Sequence, residues 1–187
     1  MVDISPELLV RRAAEYRESE PFAIVEADRV ETLPNAFRDG SILWKDCEWI
    51  VRWYARRPLD GQTHPAEAAF RENQWVSVTS QITALNSAET FDEQVSALLA
   101  LRGIDVEIAS AFLQFYDPDN HAALAPQCWG PLRAADLIDR PYPKEPQPSD
   151  LREYLTVCRS LADEARLPVI DVGRALWRLG IDPAPGE

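Results

Sequence analysis

Two helical segments joined by a five-residue turn, residues 101–105, limit the folds that this chain can adopt. Apolar residues recur every three or four positions on both sides of the turn, which is the spacing of a helix with one buried face. Gly103 supplies the positive φ that a tight turn requires, and Asp105 is placed to cap the second helix with its carboxylate. The pattern therefore predicts a helical hairpin over residues 95–116.

Helical signals continue through the rest of the chain. Ser5 before Pro6 predicts a helix start, and Thr90 with Glu93 forms the sequence of a capping box. No alternation of apolar and polar residues stands out over more than about four positions, so we expect an all-α fold. Residues 22–40 give the weakest signal and are compatible with a short strand or a helical turn.

A proline-rich segment separates the last two helices from the others. Residues 140–149 contain four prolines and are predicted to form an extended connector. An amphipathic helix capped by Ser149 or Asp150 is expected to follow, so that the C-terminal helices occupy residues 150–180. The length of 187 residues fits one helical domain over residues 1–187, with the last helices packed beside the first.

Composition narrows the classes of function. The 31 acidic and 19 basic residues give a net charge of −12, which repels polyanions at long range and disfavours non-specific nucleic-acid binding, although it leaves room for a local basic patch. No apolar run is long enough to span a membrane and no apolar signal segment opens the chain, so we expect a cytoplasmic protein. The three cysteines are expected to be reduced thiols. Neither of the two histidines has metal-ligand spacing, and no cofactor and no metal are expected.

The segment from residue 98 to residue 129 resembles the helix-hairpin-helix DNA glycosylase superfamily. Its members have a hairpin of the form L-x-G-Φ-G-x-x-x-A, in which Φ is apolar. The matching residues here are Leu101, Gly103, Ile104 and Ala109. Asp105 replaces the second glycine. The likeness extends over residues 44–180, and it is typical of a prokaryotic branch of the superfamily. It implies an all-α, helix-hairpin-helix DNA-glycosylase-like fold, in which a flipped nucleotide would enter a pocket.

The resemblance also implies where the catalytic groups would lie. Family members carry an aspartate four residues before an aromatic residue, at the start of the helix after the hairpin; matched on Trp129, this position is Ala125. The lysine with which some members form a Schiff base falls at Glu107. A methyl group cannot stabilise a sugar cation and glutamate reverses the charge of lysine, so we expect no catalytic residue at either position and no base excision. Asp117 and Asp119 are the candidates for a displaced acid.

The candidate contacts to nucleic acid lie mainly on one helix. They are Arg52, Trp53, Arg56, Arg57 and Arg102. Arginines and exposed aromatic rings can grip a backbone and stack on bases. The alternative is that the aromatic residues are core and the arginines pair with acids. At the hairpin itself, the Asp105 cap would occupy the N–H groups that a phosphate needs, and Glu107 would add repulsion.

Three functions stay open on the sequence. The first is a catalytically degenerate glycosylase-like protein that binds DNA or a nucleic-acid-associated partner, with a pocket lined by His121, Gln127 and Trp129. The second is an active base-excision glycosylase with a relocated acid, which predicts a deep pocket with a carboxylate of raised pKa beside Trp129. The third is a protein interaction module without DNA binding, which predicts a negative surface broken by an exposed apolar patch.

Overall fold

The computed structural model describes residues 4–55 and 64–182. These ranges form ten α-helices and contain no β-strand. The helices are α1 (Pro6–Ser19), α2 (Ala23–Asp39), α3 (Trp44–Ala55), α4 (Pro65–Phe70), α5 (Trp75–Ser87), α6 (Phe91–Leu99), α7 (Val106–Tyr116), α8 (Pro126–Ala134), α9 (Pro148–Ala165) and α10 (Val169–Ile181). The all-α fold predicted from the sequence is confirmed.

The predicted hairpin consists of α6 and α7. The capping box forms at the start of α6, where the Glu93 N–H donates to Thr90 Oγ1 at 3.2 Å and the Thr90 N–H donates to Glu93 Oε2 at 3.0 Å. Gly103 has a φ of +78°, in the left-handed region that favours glycine. Asp105 caps α7 as expected, because its Oδ1 accepts the Ile108 N–H at 2.8 Å. Local sequence signals therefore determine both helix starts and the turn between them.

The hairpin turn is held from outside by α4 and the residues after it. A Cβ on Gly103 would lie 2.3 Å from the Ala66 carbonyl oxygen and 2.7 Å from the Phe70 nitrogen, so the turn touches the α4 backbone. The Asn73 amide bonds both backbone groups of Arg102: Nδ2 donates to the carbonyl oxygen at 3.0 Å, and Oδ1 accepts the N–H at 3.0 Å. The turn is thus fixed by non-local contacts as well as by its own sequence.

The C-terminal helix α10 packs along α1 and α8, which confirms the prediction that the last helices return to the first. A buried polar cluster joins α10 to α1 and α2. Arg174 Nε donates to Glu26 Oε1 at 2.9 Å, and Arg174 Nη1 donates to Asp171 Oδ1 at 2.8 Å. The Tyr16 hydroxyl donates to Glu26 Oε2 at 2.6 Å. Glu26 is buried, which raises its pKa, and the nearby Arg174 opposes that effect.

The segment that gave the weakest sequence signal is a regular helix. Helix α2 runs through residues 23–39 with Pro34 inside it and ends at Gly40, whose φ is +72°. Pro34 and Phe37 are both buried. Packing of this face therefore outweighs the lost backbone hydrogen bond that an internal proline usually costs a helix.

The proline-rich connector is shorter than predicted. Helix α9 begins at Pro148 and its N-cap is Gln147. The last two residues of the connector predicted over residues 140–149 therefore belong to the helix. The Gln147 N–H donates to the Asp150 carboxylate at 2.5 Å. The predicted cap at Ser149 or Asp150 was wrong because proline suits the first helical position and the Asp150 carboxylate reaches back to the true cap.

Candidate functional site

A cavity of about 230 Å³ lies where the N-terminal ends of α7 and α8 meet. Its wall includes Asp105 and Glu107 from the start of α7 and Ala125 and Gln127 from the start of α8. The aromatic part of the wall consists of Tyr54 from α3 and Trp177 from α10. This cavity is called the hairpin pocket. It contains both positions that the resemblance assigns to catalytic groups.

Ala125 is the N-cap residue of α8. Its φ of −150° and ψ of 154° are those of an extended residue, and no side chain caps the helix there. The Ala125 carbonyl oxygen accepts the N–H groups of Cys128 at 3.0 Å and Trp129 at 3.1 Å. The side chain is buried on the pocket wall. A methyl group therefore stands at a helix start where Ser, Thr, Asp or Asn is the usual residue.

Glu107 is an acidic residue of the hairpin pocket whose carboxyl group is partly buried and contacts tyrosine hydroxyls. The half-buried side chain accepts a hydrogen bond from the Tyr142 hydroxyl, and the Tyr54 hydroxyl is also within hydrogen-bonding reach. Burial raises the pKa of Glu107 above its usual value; the Tyr142 hydrogen bond partly offsets this and the charge of Asp105 adds to it. A carboxyl group with a raised pKa at a cavity is a common feature of functional sites.

The two tyrosines at Glu107 keep their protons. Burial is the main cause that raises the pKa of both Tyr54 and Tyr142. The proton of Tyr54 is directed at the Leu124 carbonyl oxygen, 2.6 Å away, and the proton of Tyr142 at Glu107 Oε1. Both hydroxyl protons are therefore committed to acceptors of the protein.

Trp129 lies behind the pocket and does not line it. Its ring is 1% exposed, and Tyr142 packs against it edge-on with ring centroids 5.7 Å apart. Trp129 Nε1 donates to the Arg140 carbonyl oxygen at 3.0 Å, and the Arg140 guanidinium carbon lies 4.9 Å from the Trp129 ring centroid. The prediction that Trp129 lines the pocket is corrected: the ring supports Tyr142, which in turn contacts Glu107.

Of the other two residues expected to line the pocket, Gln127 does so. His121 does not, because its ring is buried in the core and its Nδ1 lies 3.2 Å from the Asp117 carbonyl oxygen. Burial lowers the pKa of His121. His64 is the N-cap residue of α4, where its Nδ1 accepts the Ala66 N–H at 3.2 Å, and it also lines the hairpin pocket.

The candidate substitutes for the missing acid lie elsewhere. Asp117 follows the last residue of α7, whereas Glu107 is in its first turn. Helix geometry puts the two ends about 15 Å apart. Asp117 and Asp119 line a separate cleft of about 450 Å³ with Arg38 and Tyr116. Neither carboxylate is on the wall of the hairpin pocket.

The candidate nucleic-acid contacts are only partly brought together. Trp53 is a core residue, 4% exposed and 5.0 Å from the Phe115 ring between centroids. Arg52 Nε lies 3.3 Å from the carboxylate of Glu67, and Arg102 of the turn pairs with the carboxylate of Glu72 at 2.9 Å. Arg56 and Arg57 lie outside the described residues. The prediction that Trp53 contacts nucleic acid is therefore wrong, because the residue belongs to the core. Arg52 and Arg102 each lie next to an acidic side chain.

The described residues offer neither a membrane span nor a metal-binding cluster. No helix in the described ranges combines the length and the apolar character needed to cross a membrane. Within residues 4–55 and 64–182, no group of three or more His, Cys, Asp or Glu side chains could hold a metal ion.

Comparison with known proteins finds similarity at the level of structure. No protein-family model matches the chain, and no curated protein sequence matches it. Among solved structures, the chain is similar to the 8-oxoguanine glycosylase/lyase of Methanocaldococcus jannaschii in complex with a 15mer DNA containing 8-oxoguanine. The TM-score is 0.50 and the sequence identity is 18%, over 92% of this chain and 96% of that chain. The chain therefore has a helical, DNA-glycosylase-like fold.

Proposed function

We propose that this protein is a catalytically degenerate relative of the DNA glycosylases, which binds a nucleic-acid base in the hairpin pocket and does not excise it. The observation that carries the proposal is the Ala125 methyl group on the pocket wall, at the position where the resemblance implies the catalytic aspartate. Cleavage of a glycosidic bond develops positive charge on the sugar, and enzymes stabilise such charge with groups already in place. A methyl group offers no such stabilisation.

The second catalytic position supports the same proposal. Glu107 stands where the resemblance implies a lysine, and a carboxyl group has no amine with which to form a Schiff base. Its raised pKa also lowers the fraction of ionised carboxylate that could stabilise a cation at a given pH. Both groups that the resemblance implies for the chemistry are therefore replaced in this pocket.

A nucleic-acid base is the proposed ligand because of the fold and the shape of the site. The similar solved structure is a glycosylase bound to DNA, and the hairpin pocket has an aromatic lining of the kind on which bases stack. The surroundings of the pocket weaken phosphate contacts, since Asp105 caps α7 and Arg102 is paired with Glu72. We therefore expect weak DNA affinity with a shallow dependence on salt.

One observation favours a second candidate function, an active glycosylase with a relocated acid. Glu107 is a carboxyl group of raised pKa in the same pocket as Ala125, and its partner Tyr142 packs on Trp129. If the acid has moved, Glu107 is the residue that would stabilise the sugar cation. Asp117 and Asp119 do not face this pocket and are not proposed for the role.

Single-turnover assays on oligonucleotide duplexes distinguish the two functions. The substrate is a 15-mer duplex with one 8-oxoguanine, supplemented by duplexes with other damaged or mismatched bases, and the readout is release of the free base. We expect no release by the wild-type protein. The double variant Ala125→Asp with Glu107→Lys is expected to gain release, whereas Ala125→Ser with Glu107→Lys, which supplies a polar group without a carboxylate, is not.

The outcomes separate clearly. If the wild-type protein releases the base and the Glu107→Gln variant does not, the result supports a relocated acid. It overturns the proposal that the protein is catalytically degenerate. Release that survives Glu107→Gln overturns both candidates. Circular dichroism of each variant checks that its helix content equals that of the wild type, so that inactivity is not mistaken for unfolding.

A further inference from the structure

We infer that the hairpin pocket takes a free base or nucleoside that presents two adjacent hydrogen-bond donors to Glu107, and that it does not take this base from a DNA strand. The inference rests on the proposed function, because it concerns the same pocket. It adds the chemical class of the ligand and the form in which the ligand arrives.

The acidic and tyrosine side chains around Glu107 leave acceptors, and no hydroxyl proton, for a ligand. The Tyr142 and Tyr54 protons are directed at Glu107 and the Leu124 carbonyl oxygen, so neither is offered to a ligand. The Asp105 carboxylate is engaged by the Ile108 N–H. A carboxylate has about four lone-pair sites, and the Tyr142 hydroxyl uses one of those on Glu107. The remaining acceptor capacity of Glu107 calls for a ligand that donates.

A donor pair on one edge of a planar ring fits this requirement best. Two parallel N–H groups can bond both oxygens of one carboxylate, which gives specificity in geometry as well as affinity. Among the common bases, guanine has such an edge, formed by its ring N–H and its exocyclic amine. Burial of Glu107 adds to the argument, because donors that approach its carboxylate replace the water that the fold has removed.

The size of the pocket limits the ligand to a small ring system. Its volume of about 230 Å³ is below the range of roughly 300–1,000 Å³ that accommodates drug-sized molecules. Tyr54 is the half-buried aromatic side chain of the wall on which a single heterocycle can stack, since Trp177 is only 6% exposed. A base fits, and the sugar of a nucleoside would lie towards the opening.

The surroundings of the pocket oppose a polyanionic strand. The N-terminus of α7 is occupied by the Asp105 carboxylate, and a phosphate there would have to displace it. Arg102 forms an exposed ion pair with Glu72, and Arg52 lies next to the buried carboxylate of Glu67, so each arginine has an acid that competes with a phosphate. The net charge of −12 repels a strand at long range. A neutral nucleoside meets none of these barriers.

Isothermal titration calorimetry with matched nucleosides tests the inference. The probes are guanosine, inosine, which lacks only the exocyclic amine, and a 15-mer duplex with and without 8-oxoguanine. We expect guanosine to bind and inosine to bind about tenfold more weakly, the discrimination that one bidentate pair typically provides. Glu107→Gln is expected to lower guanosine affinity about tenfold by the same argument. Glu72→Gln, which changes a carboxylate outside the pocket, leaves the affinity unchanged.

Several results would overturn the inference. Equal affinities for guanosine and inosine would show that a pair of donors does not determine binding. This comparison needs no variant protein. If neither nucleoside binds, free bases and nucleosides are excluded as ligands of the pocket. A duplex that competes with guanosine for the same pocket and binds more tightly would show that the ligand is a base within DNA, not a free nucleoside. The proposed function would then still stand. Base release from the duplex by the wild-type protein overturns the proposed function, whatever the nucleosides do.

Discussion

The Tyr142 hydroxyl donates a hydrogen bond to the Glu107 carboxyl group, and this contact joins the proline-rich connector to the first turn of α7. Tyr142 also packs on Trp129 of α8, so one side chain links three separate segments of the chain. The connector is therefore a structural part of the pocket wall. The contact also determines the environment of Glu107, on which the first prediction depends.

Glu107→Gln should stabilise the protein at high pH. Because burial raises the pKa of Glu107 above its usual value of 4.5, the folded state binds the proton more tightly than the unfolded state does. Stability must then fall as the pH rises through the usual value and the raised value. Glutamine avoids this loss and still accepts the Tyr142 hydrogen bond. We expect the Tm of the variant to exceed that of the wild type at pH 8, with a smaller difference at pH 4.

The exposed Glu145 provides the control for this experiment. Glu145→Gln should change the Tm little at either pH, since exposed charges contribute little to stability. A Glu107→Gln variant that is less stable than the wild type at pH 8 would mean that the charge-assisted bond from Tyr142 outweighs the cost of burial.

Two glycines of positive φ should respond differently to alanine. Gly103 and Gly40 have φ values of +78° and +72°, so alanine costs about 1–2 kcal/mol of backbone strain at either position. A Cβ on Gly103 would also lie 2.3 Å from the Ala66 carbonyl oxygen, whereas a Cβ on Gly40 would have no atom within 4 Å. Urea denaturation should show a clearly larger loss of unfolding free energy for Gly103→Ala. Equal losses would mean that α4 does not press on the turn.

Asn73→Ala should loosen the hairpin turn. The change removes both hydrogen bonds to the Arg102 backbone and a third, in which Asn73 Nδ2 donates to the Phe70 carbonyl oxygen at 2.8 Å. We expect a loss of about 1–3 kcal/mol in the free energy of unfolding, together with faster hydrogen exchange at the Arg102 N–H. Asn35→Ala, on the exposed face of α2, is the control and should cost less than about 0.5 kcal/mol.

The parts of the fold that could be predicted from the sequence are those with local determinants. Each cap at the hairpin bonds a group within three residues of itself, as Thr90 does to Glu93 and Asp105 to Ile108. Such pairs leave a fixed spacing in the sequence. Helix α2 was ambiguous because Pro34 removes its helical signal, and the buried face that compensates becomes visible only in the tertiary structure.

The pocket chemistry could be predicted only in part. Ala125 and Glu107 were found together because the resemblance assigns both to one site. The partners of Glu107 were missed, since Tyr142 is 35 residues away and Tyr54 belongs to a helix whose aromatic residues were considered as nucleic-acid contacts. The hydrogen bonds from the Asn73 side chain to the Arg102 backbone likewise join residues that are 29 positions apart. Contacts of this kind leave no period or motif in the chain.

Substitutions at Ala125 should show, through charge repulsion, how close position 125 lies to Glu107 across the pocket. Ala125→Ser and Ala125→Asp both place an acceptor at the uncapped start of α8, and each should stabilise the protein by about 0.5–2 kcal/mol as an N-cap. At pH 4.5 Glu107 is mainly protonated, because its pKa lies above that value. At pH 8 a larger fraction of Glu107 is ionised, and the ionised form repels a carboxylate introduced on the same wall. Urea denaturation should therefore show a gain for Ala125→Asp that shrinks from pH 4.5 to pH 8. The gain for Ala125→Ser, which adds no charge, should stay constant. If the gain in unfolding free energy of Ala125→Asp does not change with pH, positions 125 and 107 are too far apart to contact one ligand. The two residues would then not form a single site.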